Sequence, residues 1–132
     1  MNLVVDASAL VAATTTTDGS SQELRDRLLA STNHAPHLID AELGNVLRRI
    51  THRGALPAGQ ARAVLTSAPG LIDHRYEHRG MLASAAWALR ANLTFYDALY
   101  VVLASSLGAV LVTADVRLSR APDLPCALDV VR

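Results

Sequence analysis

An α/β fold is predicted: a single domain with a mainly parallel central sheet flanked by helices. Short apolar runs alternate with helix-period segments along the whole chain, without a repeat or a linker. The 132 residues suffice for one hydrophobic core but not for two. The composition is 51% hydrophobic with a mean hydropathy of +0.24, as a core-forming chain requires. Aromatics make up only 4%, so that core must be aliphatic and rich in alanine.

The elements follow in order. "NLVV" (2–5) reads as a strand, and "SALVAA" starts a short helix. "TTTTDGSS" is a polar, flexible loop ending in good N-cap residues, and "QELRDRLLAS" is an amphipathic helix. "HAPHLI" is a short extended piece whose Pro36 suits an edge or a strand start. "DAELGNVLRRITHRG" (40–54) is a helix with Gly54 as its C-cap, and "PAGQARAVLTSA" opens another with Pro57 in the first turn. After Pro69-Gly70, "LIDHRYE" is a strand. "RGMLASAAWALRAN" and "TFYDALYVVLASSLG" are helices, "AVLVT" a strand, "ADVRLSRAP" a short helix or turn, and "CALDVV" the last strand.

Bulk properties exclude several classes. Net charge is zero, so no global basic field announces a nucleic-acid partner. All 12 positive side chains are arginine, and lysine is absent. The single cysteine, Cys126, can form no internal disulfide, which suits a reducing cytoplasm. Asp6 interrupts the N-terminal apolar stretch, so no signal peptide is read. The greasiest segment, "ALYVVLASSLGAVLV", is broken by Ser105, Ser106 and Gly108. A soluble, cytoplasmic protein without membrane contact is expected.

Two strands end on a carboxylate: "NLVV" on Asp6 and "AVLVT", after one alanine, on Asp115. In parallel sheets the functional crevice lies beyond the carboxyl ends of the strands, which is where both aspartates fall. Each also has a structural reading, as the cap of a following helix or turn. Ser8 and Thr113 are hydroxyl neighbours able to support them. Glu42 lies in a stripe with Asn45, Arg49 and Arg53 along one border of the apolar face Ile39, Leu43, Val46, Leu47 and Ile50. That stripe reads either as a solvated flank or as a metal ligand supported by Asn45, with arginines facing phosphates. Asp40 reads as an N-cap.

Asp97 shares a face with Val101 and Ala104 on a helix that is apolar almost all round, where an unpaired charge is unfavourable. "TFYD" also fits a capping box, which would hold Asp97 near the helix start. Capping explains each acid singly, whereas four acids converging would call for a counter-cation. No arginine or lysine is placed at positions that match the cluster, and hard oxygen ligands suit Mg²⁺ or Mn²⁺.

"VVDASAL", "LIDAELGNVLRR", "TFYDALYVVLA" and "LVTADVRL", in this order, resemble the signature segments of PIN-domain ribonucleases, most closely the VapC toxins of type II toxin–antitoxin modules. The resemblance runs essentially end to end and implies a PIN-like domain over residues 1–132. Residue by residue it implies that Asp6, Glu42, Asp97 and Asp115 are catalytic and hold Mg²⁺ or Mn²⁺, with Ser8, Asn45 and Thr113 in support. It implies a metal-dependent endoribonuclease that leaves a 5′-phosphate and a 3′-hydroxyl. It further implies a homodimer, silenced by a cognate antitoxin lying across the active-site groove and reaching operator DNA only through that antitoxin. Arg48, Arg49, Arg53, Arg25 and Arg27 are the candidate RNA phosphate contacts.

Rival readings fare worse. A phosphoacceptor receiver domain and a haloacid-dehalogenase-type phosphatase both need a lysine and a second acid near the first strand, and neither is present. His34 and His37, or His74 and His78, lie at spacings that separate their side chains, so structural zinc is not expected. The alternative from another class is a catalytically silent PIN-like module that only binds a partner protein. It predicts loss of an acid, and all four are retained.

Overall fold

The computed structural model describes residues 1–131. Five strands form its sheet: β1 (Asn2–Val5), β2 (Thr32–Pro36), β3 (His74–Tyr76), β4 (Val110–Thr113) and β5 (Leu128–Val130). Their order is β3-β2-β1-β4-β5, and every pairing is parallel. β1 lies at the centre because Leu3, Val4 and Val5 are apolar without alternation, the pattern of a strand covered on both faces. The chain steps from β1 outward to β2 and β3, then returns past β1 to β4 and β5. A topological switch point therefore falls between β1 and β4, where their carboxyl ends open a crevice.

Six α-helices cover the sheet: α1 (Ala7–Thr14), α2 (Gly19–Leu29), α3 (Leu38–His52), α4 (Ala58–Ser67), α5 (Met81–Trp87) and α6 (Phe95–Leu107). Right-handed crossovers place the helices of the outward and returning connections on opposite faces. In agreement, α1 packs on α2 and α3, whereas α5 packs on α6, which lies along β1, β2 and β4. Seven consecutive residues of α6, Ala98 to Ala104, are buried, as its all-round apolarity predicts. Gly108 ends α6 at φ +60°, and Gly54, at φ +72°, follows the end of α3; both adopt the left-handed backbone that favours glycine.

The structure moves several boundaries. Thr14 closes α1, its hydroxyl donating to the Leu10 carbonyl, and the polar loop shortens because Asp18 caps α2 through the Ser21 N–H. α3 starts at Leu38 rather than Asp40. Asp40 is not its N-cap: its carboxylate is clamped by Arg75 through two bonds of 2.7 and 2.8 Å. The Leu38 N–H instead donates to the His78 ring at 2.8 Å, a cap that comes from 40 residues away in sequence. Residues 116–120 form a 3₁₀ turn, within the predicted short helix or turn.

Candidate active site

The four acids come from four different elements and line one cavity of about 240 Å³ at the switch point. Asp6 follows β1, Glu42 lies in α3, Asp97 in the first turn of α6, and Asp115 follows β4. Three of them are held by helix starts. Asp6 is the N-cap of α1, Asp97 donates its backbone N–H to the α6 cap Thr94 at 3.1 Å, and Asp115 is the N-cap of the 3₁₀ turn. Capping and convergence are thus one arrangement, since a cap fixes the carboxylate where the helix dipole favours negative charge.

Asp6 is the most constrained. Its Oδ1 accepts from the Ser8 hydroxyl at 2.6 Å and the Ala9 N–H at 3.0 Å, and its Oδ2 accepts from the Thr113 hydroxyl. Ser8 and Thr113 in turn accept from the Ala114 and Asp115 N–H groups at 2.9 and 3.0 Å, stitching the end of β1 to the end of β4. Burial pushes the Asp6 carboxyl above its ordinary range; these hydrogen bonds oppose the rise and the charge of Asp97 adds to it.

Glu42 and Asp97 are also raised, by burial first. The charges of Asp6 and Asp97 push Glu42 further, and that of Asp115 pushes Asp97. Tyr100, on the same buried face of α6, lies against Glu42 without completing a hydrogen bond to it. Burial and the surrounding carboxylates drive its phenol far above the usual range, so it stays protonated. The pocket therefore holds like charges that repel one another and a buried hydroxyl with no partner among the described residues.

Contrary to expectation, the cluster has cations of its own. Arg117 clamps Asp115 through bonds of 3.1 and 2.8 Å and donates its backbone N–H to the same carboxylate at 3.0 Å, holding it below the usual range. The reason is local: in a 3₁₀ turn the residue two after the cap swings back over it. The spacing Asp-x-Arg after a strand is the signal that could have found it. Arg49, one turn beyond Asn45 on α3, reaches the pocket and tempers Glu42.

Among the other expected residues the structure is selective. Asn45 is exposed and lines an adjoining groove with Glu42, Arg49 and Tyr96. Arg48 and Arg53 are exposed on and just after α3, outside the acid cavity. Arg25 and Arg27 do not approach the acids. α2 directs Arg25 to the Thr16 carbonyl and Arg27 to Asp129 of β5, in two separate cavities. The histidines serve elsewhere: His34 bonds Tyr76 and Asn2, and stacks on His74.

The donor set of the pocket is all oxygen and carries more negative charge than Arg49 and Arg117 offset, which fits a hard divalent cation. Among the described residues no group of three His, Cys, Asp or Glu side chains forms a closed metal cage. That is compatible with Mg²⁺, which takes one or two carboxylates, keeps waters and is completed by substrate phosphate.

Comparison with known proteins gives a consistent picture. The profile of the PIN domain family matches residues 3–124. Ribonuclease VapC1 of Mycobacterium tuberculosis is 49% identical over 129 residues, covering 98% of this chain and 97% of its own. Ribonuclease VapC9 of the same species is 42% identical over 129 residues, covering 98% of each chain. Among solved structures, VapBC2 from Rickettsia felis, bound to a DNA fragment from its promoter, superposes with a TM-score of 0.71 at 16% identity, covering both chains fully. PAE2754 from Pyrobaculum aerophilum superposes with a TM-score of 0.66 at 28% identity, covering 89% of this chain and 82% of its own.

Proposed function

The chain belongs to the PIN-domain family and, within it, to the VapC ribonucleases; from there we propose that it is a metal-dependent endoribonuclease acting as the toxin of a type II toxin–antitoxin pair. The observation that carries the reading is the convergence of Asp6, Glu42, Asp97 and Asp115 from four elements on one cavity. Relatives named as ribonucleases favour catalysis over a silent binding module.

Asp6, Glu42, Asp97 and Asp115 would hold Mg²⁺ or Mn²⁺, which when bound supplies Lewis-acid stabilisation of phosphoryl oxygens and eases ionisation of the attacking water. Ser8, Thr113 and the Ala9 N–H lock the Asp6 carboxylate, so that it needs no reorientation when a cation arrives. Arg49 faces the scissile phosphate from the α3 side of the cavity. Water oxygen attacks phosphorus, the bond from phosphorus to the 3′ oxygen breaks, and the products are a 5′-phosphate and a 3′-hydroxyl.

A cognate antitoxin is the protein partner, and operator DNA is reached through it. Exposed Met81, Trp87 and Tyr96 supply apolar surface for protein contact and support both an antitoxin and a homodimer. No described helix is long and apolar enough to cross a membrane.

Titrating Mn²⁺ into the protein and its Asp97→Asn variant by calorimetry, beside cleavage of total RNA, tests the reading. Saturable binding and RNA cleavage that the variant loses together are expected. Cleavage at the wild-type rate by the variant would overturn it.

A further inference from the structure

The acid cavity is not closed on the side of α6 and the 3₁₀ turn. Thr94, Asp97 and Arg117 line it and also line a second groove, of about 310 Å³, that continues past Asn92, Arg120 and Pro122. Arg117 thus stands on the ridge between the two, its side chain 82% exposed although its head is held by Asp115. Arg120 follows three residues later in the same 3₁₀ turn. Residues i and i+3 of such a turn eclipse one another, so both side chains leave the backbone from one edge, about 6 Å apart along the turn, and both line the second groove. Arg120 is exposed and has no ion-pair partner among the described residues. The groove on the other flank of the cavity, between α3 and Tyr96, is lined by Leu38, Ala41 and Val46 together with Glu42 and Asn45, and Arg49 is its one cation among the described residues.

A single RNA strand whose scissile phosphate lies at the acids must leave the cavity in both directions. Each departing nucleotide carries a phosphate; each flank offers one amide and one of the acids, so the flank with two arginines rather than one is the better match to that charge. Resting on the ribonuclease reading, we propose that the Arg117–Arg120 groove is the binding subsite for the phosphate next to the scissile one, with Arg120 its principal contact and Arg117 shared between that phosphate and Asp115. Sequence reading missed both residues because they sit in a turn after β4 rather than on a basic helix face.

The test is binding of a fluorescent, short, single-stranded RNA pool of random sequence, followed by anisotropy in EDTA over a salt series. The proteins are wild type, Arg120→Gln, Arg117→Gln and, as a control distant from the groove, Arg62→Gln. Arg120→Gln should bind several-fold more weakly and lower the slope of log Kd against log salt by about 0.7, the loss of one phosphate contact on a single strand. Its thermal midpoint and its Mn²⁺ titration should stay as in wild type, which a merely structural role would not allow. Arg117→Gln should also weaken binding, and Arg62→Gln should match wild type. Wild-type affinity and salt slope in Arg120→Gln would overturn the subsite while leaving the ribonuclease reading intact. A wild-type protein that neither binds the pool nor cleaves total RNA with Mn²⁺ would overturn that reading instead, and the subsite with it.

Discussion

Two clusters of polar side chains are drawn into this molecule, and they are built in opposite ways. Beside β2 and β3, Asn33 and His34 are buried but almost fully engaged. The Asn33 amide donates to the Leu28 and Leu71 carbonyls, each at 2.8 Å, its backbone N–H donates to Asp73 at 2.7 Å, and only its Oδ1 lacks a partner among the described residues. His34 joins Tyr76 at 2.7 Å and Asn2 at 3.0 Å. At the switch point, by contrast, four acids share a cavity, three of them are raised by burial and mutual repulsion, and Tyr100 has no hydrogen-bond partner among the described residues. The first cluster ties strands and turns together. The second carries more negative charge than Arg49 and Arg117 offset, an excess that folding alone does not need, which is how a binding site differs from a structural network.

The sharpest way to break the contrast is to neutralise one acid. Asp97→Asn should lower RNA cleavage by at least about a hundredfold, the scale on which loss of a charge-stabilising group acts. The same variant should raise the thermal midpoint, because burial disfavours the charged Asp97 in the folded state and the amide removes that penalty. Calorimetric melting beside the cleavage assay reads both, and a lowered midpoint would count against the contrast.

Next in size, Asn33→Ala should destabilise by about 1–3 kcal/mol, since it strands the Leu71 carbonyl, takes one donor from the Leu28 carbonyl, which keeps the Ser31 N–H, and opens a small void. Urea unfolding measures the loss, and Mn²⁺ binding at the acids should be unchanged.

The two clusters should also respond to pH with opposite sign. Burial and the neighbouring His74 lower the proton affinity of His34 in the fold, partly offset by Asp73. Its contribution to stability is therefore present above its ordinary pKa of about 6.5 and is lost as pH falls through the lowered folded value. Asp6, Glu42 and Asp97 are raised, so their penalty is relieved as pH falls through their folded values. Urea midpoints of wild type minus His34→Gln should shrink between pH 8 and pH 5, and of wild type minus Asp97→Asn should move the other way. The smallest effect is expected from Tyr100→Phe, which removes the orphan hydroxyl and should change stability by less than about 1 kcal/mol, on the stabilising side.

Most of the acid site was legible because its positions are set locally. Asp6 and Asp115 end apolar strands, and Asp97 sits three residues after a threonine cap; strand period and capping are short-range signals that a single sequence carries. Glu42 was legible only as a polar residue bordering an apolar stripe. The arginines expected to contact phosphate were poorly legible: Arg25 and Arg27 lie on an amphipathic helix that looks available, yet tertiary packing directs Arg25 to the Thr16 carbonyl and commits Arg27 to Asp129.

What the sequence determined by itself, then, is the alternation of strands and helices, the aliphatic core and the chemical type of each residue at each strand end. These follow from periodicity and backbone chemistry over a few residues. Only the tertiary structure decided that β1 and β4 are neighbours, so that Asp6 and Asp115 meet, and that His78 caps α3 across 40 residues. It also decided which arginines face the acids. Such pairings depend on which surfaces the sheet order brings together, and a carboxylate or guanidinium carries no local mark of the partner it will find.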